Sequence, residues 1–522
     1  MTAATLGGTG STSTVVATQS QQDEATINKR LNAEGEEEQD DDEEKELHIA
    51  PMMGTTTKEF RQLMRILSRK CVLWTEMIVD TTIIHTSRIN HTLGYDGSVE
   101  HPVVCQLGGY KPNQVYDATK IIASFNYDEI NLNCGCPSDR VADGQQFGAV
   151  LMKTHKSAAA AVEAMVRAVD TNENMDGDDE PDIVDSTTSE LANIKLSDPQ
   201  RSQQQSPKIS IKCRVGVDEY DTLDDLVAFI EKLSQHTQIF YLHARKAVLG
   251  GLLSPHENRC VPPLNYPRVY KICQLFPHCT FYINGGVKTL KDAKDLSYGV
   301  KMNDRSDHEQ HMVPCKLCKG FENGSCVAPP MYPAPKNLRG VMLGRVCASN
   351  PMILWDVDRY FYNEPSNPCK TRKDVFDKYL SYLDQHYPRR CCDRDPAVTS
   401  QFNPHPKVEF EYDFCPLCYE LYNQENDDDD DNDNNRTISI APKENYDGGK
   451  EKIKVMTISQ AVKPILHVFH GMMYAKKFSH EIEVINRNAK FRNCGPSSVI
   501  RRALRIMPEG LLTEPLVPAD KY

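Results

Sequence analysis

The stretch VVCQLGGYKPNQVYDATKIIASFNYDEINLNC, residues 103–134, contains the repeating unit from which the fold can be predicted. The runs Val103–Leu107 and Glu129–Asn133 have the length and apolar content of buried strands. Between them, Val115–Phe125 has apolar residues at helical spacing. A strand, a crossover helix and a second strand in this order predict a parallel sheet.

The same unit recurs on both sides of this stretch. The other strand-like runs are His48–Met53, Val72–Ile78, Ile209–Val215, Ile239–Ala244, Thr280–Asn284 and Gly340–Gly344. The other helical stretches are Thr57–Arg69, Ser157–Val169, Leu223–Leu233, Tyr266–Leu275 and Leu290–Leu296. Eight such units predict a (β/α)8 TIM barrel. The alternative is an open doubly wound sheet, but the Gly-rich phosphate loop typical of that fold is replaced by Pro51-Met52-Met53-Gly54 after the first strand.

The strand pattern stops near residue 366, and helical stretches follow at 373–386, 458–475 and 496–506. We expect an acidic tail at 1–47, the barrel at 48–365 and a smaller C-terminal helical domain at 366–522. The barrel would carry an acidic insertion at 170–206 and a Cys-containing insertion at 302–337, both in loops. An acidic linker at 424–449 would interrupt the helical domain.

The formal net charge of −13 is unevenly distributed over the 522 residues. Segments 1–47, 170–206 and 424–436 carry −9, −8 and −6, and acidic runs of this kind are usually solvated and disordered. The remaining chain carries +10, which favours an anionic partner such as nucleic acid. No apolar run reaches the roughly 18 residues that a membrane-spanning helix needs.

Cysteine usage and the N-terminus both bear on the compartment. The 18 cysteines are scattered, unlike those of small, Cys-dense secreted scaffolds. The first residues lack the charged and apolar regions of a signal peptide. We therefore expect reduced thiols and a cytoplasmic protein.

Polar and glycine residues gather where the predicted strands end. In a barrel these ends meet on one face, where the reactive groups lie. The residues in question are Asn133, Cys134, Gly135, Cys136, Lys212, Arg214, His243, Arg245, Asn284, Gly285, Gly286, Gly344 and Arg345. The glycines after the seventh and eighth strands predict a phosphate site, because glycine lets backbone N–H groups approach phosphate oxygens. Two ordinary turns are the alternative.

Three of these residues have more than one interpretation. Lys212 lies in an apolar strand, so it either faces an anion such as a phosphate or a reduced flavin, or reaches outward to solvent. His243 is either a second contact to that ligand or a structural core histidine. The Cys136 thiol could be a nucleophile, an acid or a packing group.

Taken together, these motifs resemble those of the tRNA-dihydrouridine synthases, and of their bacterial A-type branch in particular. The resemblance runs in order across residues 50–360, the whole predicted barrel. It is carried by APMMGTTTKEFRQLMRILSRKCVLWTEMI, QLGG, YDEINLNCGCPSDRV, FGAVLM, IKCRVGVDEYD, LHARKAVLGGLLSPHENRCVPPLNYPRVY, INGGVKTL and VMLGR.

The resemblance implies a flavin enzyme that uses NADPH and FMN to reduce the C5–C6 double bond of uridine in tRNA. The implied FMN contacts are Pro51, Met52, Met53, Gln106, Lys212, His243, Asn284, Gly285, Gly286, Gly344 and Arg345. In the implied mechanism, reduced flavin N5 gives a hydride to C6, and Cys136 protonates C5. Cys134 is not the acid in this scheme.

The resemblance also implies that D-loop uridines 20 and 20a are the targets. The implied tRNA contacts are Asn133, Arg245, His256, Arg259, Lys476 and Lys477. His256 stands where the family has a lysine, and the arginine-rich helix of the family is reduced here to Lys476 and Lys477. We expect a monomer with no membrane partner.

Two pairs of cysteines lie outside the family motifs. Cys315-x2-Cys318 and Cys415-x2-Cys418 have the spacing of zinc knuckles. They form either one four-cysteine zinc site or two unrelated pairs of free thiols.

Two other functions remain open. The first is an FMN barrel oxidoreductase acting on a small molecule, as dihydroorotate dehydrogenases do, which the basic body and the helical appendage disfavour. The second is a non-catalytic tRNA-binding protein, which the presence of Cys136, Lys212 and His243 disfavours.

Overall fold

The computed structural model describes residues 44–137, 147–170, 206–250, 253–299, 333–387, 458–487 and 496–518. Eight parallel strands form one sheet. They are β1 (Glu46–Ile49), β2 (Leu73–Val79), β3 (Val103–Gly108), β4 (Glu129–Cys134), β5 (Lys208–Arg214), β6 (Ile239–His243), β7 (Thr280–Asn284) and β8 (Leu338–Leu343).

The sheet closes on itself. Its strand order is β1-β8-β7-β6-β5-β4-β3-β2, and a parallel bridge between His48 and Val72 joins its two ends. The Ile49 N–H donates to the Val72 carbonyl at 2.9 Å, and the Val72 N–H donates to the Leu47 carbonyl at 2.9 Å. The predicted (β/α)8 TIM barrel is therefore confirmed, and the open sheet is wrong.

The first strand ends earlier than the sequence predicted. The predicted run was His48–Met53, whereas β1 ends at Ile49. Pro51 has no N–H to donate to a strand ladder, and Gly54 turns the chain with a φ of +66°. Residues 51–54 therefore form a turn at the carboxyl end of the barrel.

Helices follow the strands and cover the barrel. They are α1 (Lys58–Leu67), α2 (Asp80–His85), α3 (Ile89–Leu93), α4 (Pro112–Ala123), α5 (His155–Val169), α6 (Leu223–Leu233), α7 (Tyr266–Leu275), α8 (Leu290–Tyr298), α9 (Arg345–Ser349) and α10 (Val357–Tyr360). Short 3-10 segments occupy Gly148–Met152, Glu257–Arg259 and Pro351–Asp356. Thr222 and Thr289 begin α6 and α8 with capping boxes, which satisfy backbone N–H groups that have no partner within the helix.

Alternate residues of each strand face the helices and the barrel interior. Outward residues such as Ile130 and Leu132 join the main apolar core. Inside the barrel, the rings of Tyr241 and Tyr282 stack with their centroids 4.5 Å apart, and Trp74 meets Tyr241 edge-on. The interior is thus a packed core that supports the residues at the strand ends.

The described residues that follow the barrel are mainly helical, as predicted. It contains α11 (Arg372–His386), α12 (Ile458–Val462), α13 (Ala475–Arg487), α14 (Pro496–Leu504) and α15 (Glu509–Thr513), with a 3-10 segment at Lys463–His467. Phe376, Phe469 and Phe478 form their common aromatic core, with ring centroids 5.0 to 5.9 Å apart. These helices pack against α1, where the Tyr387 hydroxyl donates to Glu59 Oε1 at 2.8 Å.

The single helix predicted at 458–475 is wrong. Pro464 lies in the 3-10 segment that follows α12, and proline disfavours an α conformation of the residue before it. Gly471 and Tyr474 have φ angles of +74° and +70°, which no α-helix accommodates. α13 begins only after them; the apolar pattern did not predict this helix, although the family resemblance implied one at Lys476 and Lys477.

Several predictions lie wholly or largely outside the described residues. These are the tail 1–47, the insertions 170–206 and 302–337, the linker 424–449 and the zinc candidates Cys315, Cys318, Cys415 and Cys418. The domain boundaries and the zinc site stay predictions. Within the described ranges, no three His, Cys, Asp or Glu side chains form a metal-binding group. No helix in the same ranges has both the length and the apolar character needed to cross a bilayer.

Replacing Arg61 with alanine should lower the free energy of unfolding by about 3–5 kcal/mol, because it leaves the fully buried Glu100 carboxylate without its cation. Arg61 Nε donates to Glu100 Oε2 at 2.5 Å, and Arg61 Nη1 donates to the Thr56 carbonyl at 3.2 Å. Urea unfolding measures the change. Lys373→Ala, which removes a more exposed i,i+4 pair with Asp377, is the control, and equal effects of the two substitutions would contradict the prediction.

Candidate active site

The carboxyl ends of β5 and β7 bring two predicted residues into contact, and β8 holds the second of them. Lys212 Nζ donates to Asn284 Oδ1 at 3.2 Å, and Asn284 Nδ2 donates to the Met342 carbonyl at 2.8 Å. Lys212 therefore turns toward β7 inside the barrel rather than outward to solvent. Burial and the neighbouring Arg214 lower the pKa of Lys212 to about 8.

The glycine pair after β7 lies directly against His243 and α7. Gly285 has a φ of +112°, and a Cβ there would lie 2.7 Å from His243 Cδ2. A Cβ on Gly286 would lie 2.5 Å from both Leu264 Cδ1 and the Tyr266 hydroxyl. Glycine is therefore required at both positions, because any side chain would displace the imidazole or the loop before α7.

Positive charge is concentrated at this end of the barrel. Burial, then Arg214 and Lys212, lower the pKa of His243 well below its ordinary value, so its imidazole is neutral at pH 7. Burial chiefly lowers the pKa of Arg214 to about 10, with Arg259 and Arg245 adding to the effect. Such mutual repulsion is relieved when an anion binds, so the site favours an anionic ligand.

Arg259 contributes to the same concentration of charge. Among the described residues, its buried Nε atom has no hydrogen-bond partner. Burial and the nearby Arg345 lower its pKa. Arg345 is exposed, and its Nη2 donates to Cys260 Sγ at 3.7 Å. A ligand oxygen would satisfy the Arg259 donor.

Cys136 lies in the loop that follows β4. Asn133 Oδ1 accepts the N–H groups of Gly135 at 3.0 Å and Cys136 at 2.9 Å, so one amide oxygen holds two consecutive peptide units. Arg214 Nε donates to the Gly135 carbonyl at 3.1 Å and holds the same loop. Cys136 is half-buried, whereas Cys134 is fully buried, and burial raises the pKa of Cys134 well above its ordinary value.

The turn after β1 carries the predicted cofactor contacts Pro51, Met52 and Met53, whereas Gln106 lies in β3 and Gly344 follows β8. Met53 is 67 % exposed at the barrel end, and Pro51 and Met52 are half-buried. The Gly54 N–H donates to Glu76, and Lys463 from the C-terminal helices donates to the Gly54 carbonyl. The turn is thus held from the barrel and from the helices.

The predicted tRNA contacts lie in two regions. Asn133, Arg245 and Arg259 lie at the barrel end, and the exposed His256 precedes the 3-10 segment that contains Arg259. Lys476 and Lys477 are exposed on the first turn of α13, with Lys477 Nζ 5.1 Å from the centre of the Tyr474 ring. Lys476 also lines a groove of about 510 Å³ together with His467, His470 and His480.

Sequence reasoning missed the polar side chains inside the barrel. Glu129, Asn131 and Ser210 are buried there, and Gln106 and Asn133 join them in one series of hydrogen bonds. The available signal was the alternation of Glu129, Asn131 and Asn133 with apolar residues. A strand buried on both faces is usually apolar throughout.

Replacing Glu129 with glutamine should remove a pH dependence of stability. Burial raises the pKa of Glu129 from 4.5 to about 7. Between these values the folded chain keeps a proton that the unfolded chain releases, so the stability of the wild type falls as pH rises through this window. From pH 4.5 to pH 8 we expect the variant to gain up to about 3 kcal/mol relative to the wild type.

Urea unfolding at several pH values measures this difference. Glu163→Gln, which neutralises an exposed carboxylate on α5, is the control and should track the wild type. Parallel stability curves for the wild type and Glu129→Gln would contradict the expected pKa.

Comparison with known proteins adds sequence evidence to this geometry. The family model described as dihydrouridine synthase (Dus) matches residues 48–175 and 201–300. A tRNA-dihydrouridine(20/20a) synthase of Vibrio vulnificus (strain CMCP6) is 33% identical over 341 residues, which are 65% of this chain and 80% of that protein. The protein of the same name from Escherichia coli (strain K12) is 36% identical over 316 residues, which are 60% of this chain and 69% of that protein.

Proposed function

Since this chain belongs to the dihydrouridine synthase family of oxidoreductases, we propose that it reduces the C5–C6 double bond of uridine in the tRNA D-loop. The proposed cofactor is FMN, the proposed reductant is NADPH, and the proposed targets are uridines 20 and 20a. The family membership supports tRNA as the substrate, and the name of the relatives supports the two positions.

The observation that carries the proposal is the shared location of the Cys136 thiol and the basic side chains of Lys212 and Arg214 at one end of the barrel. The loop of Cys136 is held by Arg214, whose neighbours Lys212 and His243 have lowered pKa values. A reducing site for uracil needs such a proton donor beside a bound redox cofactor.

The residues at this end fit FMN. The Gly285–Gly286 backbone leaves no room for a Cβ, and Arg259 carries a buried donor without a partner among the described residues. In the proposal, Lys212, His243 and Asn284 hold the ring system. The glycines after β7 and β8, together with Arg345, hold the phosphate. Reduced FMN bound there would supply the hydride that adds to C6 of uracil.

The chain itself supplies the proton and the geometry. Cys136 donates a proton to C5 on the opposite face of the base, and for this its thiol must be protonated beforehand. The amide oxygen of Asn133 holds the backbone of the thiol loop, and neutral His243 would offer the cofactor a hydrogen bond without adding charge. The target uridine has to leave its stack to reach this depth, as in other base-modifying enzymes.

Contacts to tRNA phosphates are proposed for Arg259 and His256 near the barrel end and for Lys476 and Lys477 on α13. The exposure of His256, Lys476 and Lys477 and the positive charge of Arg259, Lys476 and Lys477 support this role, because phosphate contacts supply most of the affinity for RNA and weaken with salt.

The test is a dihydrouridine assay with purified protein, NADPH and tRNA transcribed without modifications. We expect mass spectrometry of the tRNA fragments to detect the gain of two hydrogens on a D-loop fragment containing positions 20 and 20a. A flavin-containing protein that oxidises NADPH without changing any tRNA fragment would overturn the proposal and favour a small-molecule oxidoreductase.

A further inference from the structure

A series of side-chain hydrogen bonds crosses the barrel interior and ends at the thiol loop. Ser210 donates to Glu129 Oε1, and Asn131 Nδ2 donates to Ser210 Oγ at 2.7 Å. Gln106 Nε2 donates to Asn131 Oδ1 at 2.9 Å, and Asn133 Nδ2 donates to Gln106 Oε1 at 2.8 Å. We name these five residues the interior relay.

The strand register brings the relay together. Asn131 of β4 is opposite Ser210 of β5 and Gln106 of β3. All five residues are buried, and Asn131 and Ser210 have no exposed surface. In such a low-dielectric interior, hydrogen bonds in series strengthen one another, and an unpaired polar group is costly.

The two ends of the relay determine the orientation of every group between them. At one end, the N–H groups of Gly135 and Cys136 can only donate, so Asn133 must present its oxygen. At the other end, Glu129 is a carboxylate above its raised pKa of about 7 and can then only accept, so the Ser210 hydroxyl points toward it and leaves a lone pair for Asn131. The donors at one end and the acceptor at the other therefore both require the same head-to-tail orientation of the Asn131, Gln106 and Asn133 side-chain amides.

We propose that Glu129, Ser210 and Asn131 are positioning residues for the thiol: through Gln106 they keep the Asn133 oxygen on the Cys136 loop. This inference rests on the proposed function, in which Cys136 is the acid. It assigns no chemical step to the relay, and the three residues act only through Asn133. If the Ser210 hydroxyl is removed, the inner amides lose the partner that fixes their orientation, and the hold on the loop weakens.

The barrel interior offers a matched control. The Tyr282 hydroxyl donates to the Glu46 carboxylate at 2.7 Å, as Ser210 donates to Glu129. Each carboxylate keeps a second partner when its hydroxyl is removed, since His48 contacts Glu46 and Tyr241 contacts Glu129. Ser210→Ala and Tyr282→Phe therefore each remove one hydroxyl-to-carboxylate bond, but only the first interrupts the relay.

The first measurement is amide hydrogen exchange at Gly135 and Cys136, which needs no activity. With one buried hydrogen bond lost from the series, we expect Ser210→Ala to speed exchange at these two amides by about 3- to 10-fold. Tyr282→Phe should leave them unchanged. Equal exchange in Ser210→Ala and the wild type, or equal acceleration in both variants, would overturn the inference.

The second measurement separates the two half-reactions in stopped flow. We expect Ser210→Ala to retain its flavin and to be reduced by NADPH at the wild-type rate, while tRNA-dependent reoxidation of the flavin slows by about 10-fold. Tyr282→Phe should match the wild type in both steps. Equal slowing of both steps in Ser210→Ala would indicate a merely structural effect and overturn the inference.

Different results would contradict the proposed function and the positioning role of the interior relay. If the wild type itself does not reduce tRNA, the proposed function fails, whereas hydrogen exchange still tests the hold on the loop. If the wild type reduces tRNA and Ser210→Ala reduces it equally fast, the inference alone fails.

Discussion

Cys136→Ala is expected to slow tRNA reduction by about 10²- to 10⁴-fold, the usual contribution of a general acid, while the protein keeps its flavin. The reason is local. Alanine removes only the sulfur, and the backbone of the loop stays held by Asn133 and Arg214. The measurement is single-turnover reoxidation of the reduced flavin by tRNA, together with the flavin absorbance of the purified variant.

Cys134→Ala is the control for this prediction. Its thiol is fully buried, and burial raises its pKa well above the ordinary value, so the residue should serve packing alone. We expect the control to lose some stability but to keep the rate of the tRNA step. Full activity of Cys136→Ala would show that the proton comes from another group.

Lys212→Met is expected to weaken FMN binding by about 10- to 100-fold, which corresponds to the loss of one charge-assisted hydrogen bond. The same substitution should leave the free energy of unfolding of the flavin-free protein equal or higher. Burial and Arg214 already lower the pKa of this ammonium group to about 8, so keeping it charged costs free energy in the absence of a ligand. Fluorescence titration with FMN and urea unfolding measure the two effects.

A loss of FMN affinity without a loss of stability distinguishes a ligand-binding role of Lys212 from a structural one. A structural lysine would lower both flavin affinity and stability when replaced. Lys208→Met is the control, since Lys208 is exposed at the other end of the same strand. If Lys212→Met binds FMN as tightly as the wild type does, the proposed cofactor contact is wrong.

The sequence allowed the barrel to be predicted because each strand is a short apolar run bounded by turn residues. The predictions failed where a single residue determines the end of an element. Pro51 ends β1 early, and Pro464 with Gly471 divides the helix expected at 458–475. Both errors came from treating an apolar pattern as continuous across a backbone that cannot continue.

The candidate site was predictable as far as the strand ends, because parallel strands present their carboxyl ends on one face. That rule located Lys212, Asn284 and Cys136, and the structure brings Lys212 and Asn284 into contact. It could not locate the interior relay, since the meeting of Gln106, Asn131 and Ser210 depends on the register between β3, β4 and β5. Register is a long-range property that no local pattern contains.

Because Gly54 is held from both sides, the barrel and the C-terminal helices cannot be treated as independent modules. Its N–H is held by Glu76 of the barrel and its carbonyl by Lys463 of the C-terminal helices. A fragment cut after the barrel would leave that carbonyl without its ammonium partner and would also uncover the face of α1 that contacts Tyr387. Grafting the helices of a relative onto this barrel would therefore alter the barrel end proposed to bind the cofactor together with the surface proposed to bind RNA.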